Sequence, residues 1–143
     1  MENLDFTKPQ IIKLPRITDP RGNLTFAQSS IELPFDLQRA YWIYDVPAGA
    51  ERGGHSHRQM AQVLVAVAGS FTVNISDGFT WKTFLLNRPF EGLLIPPGYW
   101  RTIDDFSSGG VCLSLVSTKF AESDYIREFD EYVKVAKQRG PLL

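Results

Sequence analysis

The sequence predicts an all-β domain, a sandwich or barrel of short strands completed by one C-terminal α-helix. Two observations predict it. Short runs rich in Val, Ile, Phe, Tyr and Thr recur along most of the chain, cut at even intervals by Gly, Pro and Asp. Beyond residue 121 the pattern changes once, to a helical period. At 143 residues the chain makes one domain with a proper core, read as a β-body over 1–121 and a helix over 122–139. No repeat, linker or low-complexity segment interrupts it.

Taken in order, the strands expected are Gln10 to Leu14, Asn23 to Gln28, Arg39 to Val46, Gln62 to Ala68, Phe71 to Ser76, Phe79 to Leu86, Gly92 to Ile95 and Val111 to Thr118. In the third, Tyr41 shares a face with Arg39 and Ile43, while Trp42 and Tyr44 share the other, and one face should look inward. Phe71, Val73 and Ile75 alternate with Thr72, Asn74 and Ser76, one face buried and one wet. Asp77-Gly78 is the hairpin turn that follows. Ser123 reads as a helix N-cap with Asp124 in the first turn. Ile126, Phe129, Tyr132, Val133 and Ala136 then form one apolar stripe, and Gly140-Pro141 stops the helix. That stripe must pack on its own β-body or on a second copy.

Apolar content of 43% with 13% aromatic residues is that of a folded protein. A net charge of −1 gives no support to a general nucleic-acid role. Cys112 is the single cysteine, so no intrachain disulfide forms, and its place in Val111–Leu115 is that of a buried strand thiol. Met1 to Lys8 is polar, without the apolar core of a signal peptide, and no apolar stretch is long enough to span a bilayer. These features lead us to expect a cytoplasmic protein.

The most informative pattern runs from Gly49 to Gly69. Five residues separate Gly49 from His55-Ser56-His57, four separate His57 from Gln62, and six separate Gln62 from Gly69. This is the spacing of the first cupin motif, which makes the expected architecture a double-stranded β-helix, or jelly-roll barrel. Gln62 stands where metal cupins usually carry Glu. His55 and His57 share a strand face and so either hold a metal or move protons. After the turn Pro96-Pro97-Gly98, the residue expected to supply a third imidazole is Arg101. A permanent guanidinium has no lone pair for a cation and repels one, so we expect a metal-free pocket.

Other residues carry two readings each. Arg21, Arg52, Arg58 and Arg101 either grip a diphosphate around the pocket mouth or are solvated surface. Tyr99 and Trp100 either stack on a base or sugar ring or pack the rim. Tyr41 is a core tyrosine unless the histidine strand is its neighbour. No P-loop or dinucleotide glycine pattern offers another way to bind phosphate.

The chain resembles the nucleotide-linked sugar 3,4-ketoisomerases, a cupin group that includes WxcM-like domains. The resemblance rests on Asp19-Pro20-Arg21-Gly22-Asn23-Leu24, Leu33-Pro34-Phe35, Arg39 through Val46, Arg52-Gly53-Gly54-His55-Ser56-His57, Gly92-Leu93, Trp100, Asp105-Phe106-Ser107 and Asp124-Tyr125-Ile126-Arg127. It implies isomerisation of dTDP-4-keto-6-deoxyglucose to a 3-keto sugar without metal or other cofactor, in deoxysugar biosynthesis for surface glycans such as O-antigen or S-layer chains. It further implies His55 as base, Tyr41 as the group moving a proton between two oxygens, and His57 and Arg52 lining the same pocket. Gln62 and Arg58 are counted with the substrate-binding residues. A homodimer with exchanged N-terminal strands, around Gln10 to Leu14, is also implied. Two departures bear on the outcome. Ser56 replaces the usual Ala, and Arg101 stands where some members carry His. With Arg21 at another position tied to stereochemistry, the gluco or galacto product stays open. Two rival readings stay open too: a nucleotide-sugar-binding or epimerising WxcM-like domain, and a metal cupin using His55, His57 and Gln62.

Overall fold

The computed structural model describes residues 5–143; the polar start at Met1 to Leu4 lies outside the described residues. Twelve strands and one helix follow in order: β1 (Gln10–Lys13), β2 (Arg16–Asp19), β3 (Gly22–Thr25), β4 (Arg39–Ile43), β5 (Arg52–His57), β6 (Gln62–Ala68), β7 (Phe71–Ser76), β8 (Trp81–Leu86), β9 (Glu91–Ile95), β10 (Trp100–Asp104), β11 (Val111–Val116), β12 (Tyr125–Ile126) and α1 (Phe129–Arg139).

The strands form two antiparallel five-stranded sheets, ordered β1-β9-β6-β11-β4 and β12-β5-β10-β7-β8, with β2 and β3 paired as a separate hairpin. The inner faces meet in a core of Leu64, Ala66, Phe71, Val73, Ile75, Leu93, Ile95 and Ile103, with the Cys112 thiol fully buried among them. The first sheet is covered on its outer face as well, where Val63, Val65, Leu94 and Leu115 pack with Ile12, Leu14 and Leu33. This explains why β6 is apolar without alternation: both of its faces are buried. Burying both faces of that strand stabilises the sandwich by roughly 1.5–3 kcal/mol per large side chain.

Three expectations are corrected. The sheets do not close into a barrel: among the described residues no ladder joins one to the other, and the body is a cupin-like sandwich. The helix starts at Phe129 rather than at Ser123. Residues 122–124 form a 3-10 turn, and Tyr125 and Ile126 pair with His57 and Ser56 of β5. Tertiary pairing wins there because the Arg58 guanidinium donates to the Ser123 and Tyr125 carbonyls, at 3.2 and 2.9 Å, and holds the segment extended. Third, β2 and β10 were not foreseen. Their alternation is masked by charged residues at positions that face solvent or, for Arg101, the interior.

The helix packs on its own second sheet. Tyr132 and Ala136 are buried with Trp100 and Ile126, and the Tyr132 hydroxyl shares its one proton between the Gly98 carbonyl at 2.7 Å and the Ser76 carbonyl at 3.1 Å. Gly78 permits that approach, since a Cβ there would lie 2.4 Å from the Ala136 Cβ. β1 pairs with β9 of the same chain. No helix of the described residues is long and apolar enough to cross a membrane.

Candidate active site

A cavity of ≈ 720 Å³ opens where the edge strand of the first sheet, β4, faces β5 and β12 of the second. Tyr41, Arg52 and His55 line it, together with Arg39, Trp42, Tyr44, Phe120, Tyr125 and Arg127. Strand register brings these side chains together. Tyr41 lies opposite Ser114, His55 opposite Arg101, and His57 opposite Tyr125. Alternation then points His55, His57 and Arg101 inward and sends Trp100 to the outer face against Phe129 and Tyr132.

The two imidazoles meet edge to face with ring centroids 4.7 Å apart, and the Tyr125 ring packs at 5.1 Å from His55 and 4.4 Å from His57. His57 is fully buried, and its Nδ1 lies 3.1 Å from Asp124 Oδ2. The carboxylate accepts from that nitrogen, which fixes the tautomer and leaves Nε2 as the lone-pair nitrogen. Asp124 is itself held by the backbone N–H groups of Gln59 and Met60. Burial, then the Arg101 charge, then the neighbouring imidazole and Arg127, lower the His55 pKa to about 2. Burial, Arg101, Arg39 and Arg127 lower that of His57 to about 3. The Asp124 carboxylate at hydrogen-bond distance opposes the second shift. Both rings are neutral at pH 7.

His57, expected to line the pocket, sits fully buried behind the cavity wall together with Gln62 and Arg101. Arg101 donates to Gln62 Oε1 at 2.5 Å, and the Gln62 amide nitrogen reaches the Tyr41 hydroxyl at 2.8 Å and Ser114 Oγ at 2.5 Å. The cupin metal positions therefore hold two imidazoles, an amide oxygen already engaged by a cation, and that cation. This donor set does not fit a divalent ion.

With this geometry the relatives are informative. The family model described as WxcM-like, C-terminal (FdtA) matches residues 7–137. The chain belongs to the WxcM-like family of nucleotide-sugar 3,4-ketoisomerases. It is 36% identical over 125 residues to the TDP-4-oxo-6-deoxy-alpha-D-glucose-3,4-oxoisomerase of Aneurinibacillus thermoaerophilus, covering 87% of this chain and 90% of that one. It is 40% identical to QdtA, a sugar 3,4-ketoisomerase from Thermoanaerobacterium thermosaccharolyticum solved with TDP, at a TM-score of 0.90 over 92% of this chain and 96% of that one. A mutant of QdtA was solved with TDP-4-keto-6-deoxyglucose (39% identity, TM-score 0.90, 92% and 95% covered). The WlaRB TDP-quinovose 3,4-ketoisomerase of Campylobacter jejuni matches at 36% identity and a TM-score of 0.84, over 88% of this chain and 97% of that one.

In this ketoisomerase chain, several residues proposed from sequence lie away from the cavity. Arg21 sits at the tip of the β2–β3 hairpin, highly exposed and paired with Asp19 at 2.7 Å. Arg58, directly after β5, donates to the Ser123 and Tyr125 carbonyls and does not line the cavity. Tyr99 is buried with its hydroxyl donating to the Thr7 carbonyl. Conversely, Arg39, Phe120, Tyr125 and Arg127 line the cavity without being among the site residues expected from sequence. The Arg39 guanidinium lies over the Tyr41 and Phe120 rings, and Arg127 lies 4.2 Å from the Tyr125 centroid. A period of two in Tyr125-Ile126-Arg127, with Ile126 buried, was the available signal, hidden by its reading as the start of a helix.

Proposed function

We propose that this chain isomerises dTDP-4-keto-6-deoxyglucose to a dTDP-3-keto-6-deoxyhexose by proton transfer through an enediolate. The observation that carries the reading is a neutral His55 and a hydrogen-bonded Tyr41 in one cavity whose rim bears Arg39, Arg52 and Arg127. Guanidinium groups suit the diphosphate, and Trp42, Tyr44 and Phe120 offer faces for the base. The C4 ketone acidifies the C3 proton, which His55 removes. The C3–H electron pair becomes the C3=C4 bond, and the carbonyl pair moves to O4. Tyr41 delivers its proton to O4 and recovers one from O3, and protonated His55 returns a proton to C4 as the C3 carbonyl forms. Diphosphate beside Arg127 offsets one charge that depresses the His55 pKa, so the base strengthens when substrate is in place.

The test is proton NMR of the substrate with the protein in deuterated water. A 3-keto sugar bearing deuterium at C4 is expected, its coupling constants assigning the gluco or galacto product. His55→Asn should lower kcat about 10²–10⁴-fold while retaining TDP binding; wild-type turnover in that variant would remove His55 from the role of base. Exchange without a new sugar would favour an epimerising domain instead.

The finer setting is part of the same proposal: a cytoplasmic enzyme of surface-glycan deoxysugar synthesis, acting as a homodimer in which exchange would seat β1 of one copy where β1 here pairs with its own β9. Exposed Ile17 and Leu24 on the β2–β3 hairpin support the dimer. So does an apolar cleft of ≈ 320 Å³ beside it, lined by Leu14, Phe26, Val67 and Leu113.

A further inference from the structure

A guanidinium lies fully buried behind the cavity with no carboxylate against it. Arg101 forms none of the ion pairs among the described residues. Its polar contacts are the Gln62 side-chain oxygen at 2.5 Å and the Tyr99 carbonyl at 3.3 Å, and its Nε has no partner. Burying an unpaired cation is costly, and here the chief compensation is one neutral amide.

That contact fixes the amide's orientation. A guanidinium has donors only, so Gln62 must turn its oxygen towards Arg101 and its NH2 away. The NH2 meets two acceptors, the Tyr41 hydroxyl at 2.8 Å and Ser114 Oγ at 2.5 Å, one for each N–H. Tyr41 is therefore an acceptor on its inner side. Its own proton has no acceptor among the described residues, and the side chain lines the cavity. The O–H is left to point at a bound ligand.

We propose that Arg101 and Gln62 form a buried relay that holds the Tyr41 hydroxyl as a donor towards the sugar, both acting as positioning residues that do not touch substrate. The inference rests on the ketoisomerase reading and assigns polarity to one of its steps. As negative charge forms on O4, a hydroxyl whose proton points into the cavity delivers it, whereas one turned backwards presents lone pairs to an oxyanion and repels it. Tyr41 regains its proton from O3, so the relay itself is not consumed. The choice of Gln62 over Glu follows. A carboxylate accepts only, so with Glu at this position Tyr41 would donate inward and the polarity would reverse.

Gln62→Glu tests this, because it keeps the shape and gives Arg101 a counter-ion. We expect kcat to fall about 10²-fold, with KM and TDP affinity within about twofold and the melting temperature not lowered. Deuterium exchange at C3 of unreacted substrate should fall less than product formation, since His55 is intact. Wild-type kcat in the variant would overturn the relay. Loss of TDP binding in step with kcat would also overturn it, placing Gln62 in packing. Ser114→Ala removes only the other amide acceptor and should keep kcat within about twofold; a loss of about 10²-fold in this variant would overturn the relay, whether or not the Glu variant folds. Wild-type protein that forms no 3-keto sugar would overturn the ketoisomerase reading and the relay with it, an outcome read before any variant is made.

Discussion

At the scale of single residues, this site is built from groups kept away from water. His55, the proposed base, is a neutral imidazole because burial and the Arg101 charge across the ladder both disfavour its protonated form. The consequence is a dissociation between activity and stability in mild acid. A free imidazole titrates near 6.5, so its protonation would halve the rate there. With its folded-state value pushed down to about 2, His55 stays competent, and kcat/KM should be level from pH 8 to pH 5. Stability behaves otherwise. Below about 6.5 the unfolded chain binds protons that the folded chain refuses at both His55 and His57, so stability should fall as pH drops from there towards the folded values near 3 and 2. Rate profiles and urea melts over one pH series check both; an inflection in kcat/KM near 6.5 would mean that His55 is solvated.

Elements matter here through what they hold in place. β12 is only two residues long, yet it sets Tyr125 over both histidine rings and Asp124 against His57. The turn after β7 does similar work for the helix. The fully buried Asp77 carboxylate accepts from the backbone N–H groups of Phe79 and Thr80 and, through its other oxygen, from those of Leu142 and Leu143. Burial alone would raise its pKa, but these four bonds win and hold it well below the usual carboxylate range. Asp77→Asn puts an NH2 against two N–H donors. We expect a loss of about 1–3 kcal/mol in urea unfolding near neutral pH. Because the folded-state value is depressed, the contribution of Asp77 is complete above about pH 4 and disappears only in stronger acid. An unchanged midpoint would show that the C-terminal tail is not anchored there.

For the whole molecule, the open question is how many chains make one enzyme. β1 lies at an edge of the first sheet, the hairpin after it carries exposed Ile17 and Leu24, and an apolar cleft lies on the outer face of the same sheet. Arg21, at the hairpin tip, cannot serve its own cavity from there, which is sensible if the hairpin belongs to a shared surface. Light scattering should give twice the chain mass, and Leu24→Asp should shift it towards one; a wild-type monomer would end the proposal.

Sequence alone determined the β class, the glycine-bounded histidine strand and the family, because period-two alternation and motif spacing are local properties. It placed Tyr41 with His55 only through resemblance, since their approach depends on two sheets meeting. Three matters were decided by tertiary structure. The sheets remain an open sandwich, because closure depends on which edges pair. Residues 122–128 stay outside the helix, a 3-10 turn followed by the extended Tyr125 and Ile126, because Arg58 and β5 outcompete a helical pattern. Gln62 and Arg101 stand behind the cavity, not in it, because the depth of a side chain is set by the opposite sheet, and no local pattern records that distance.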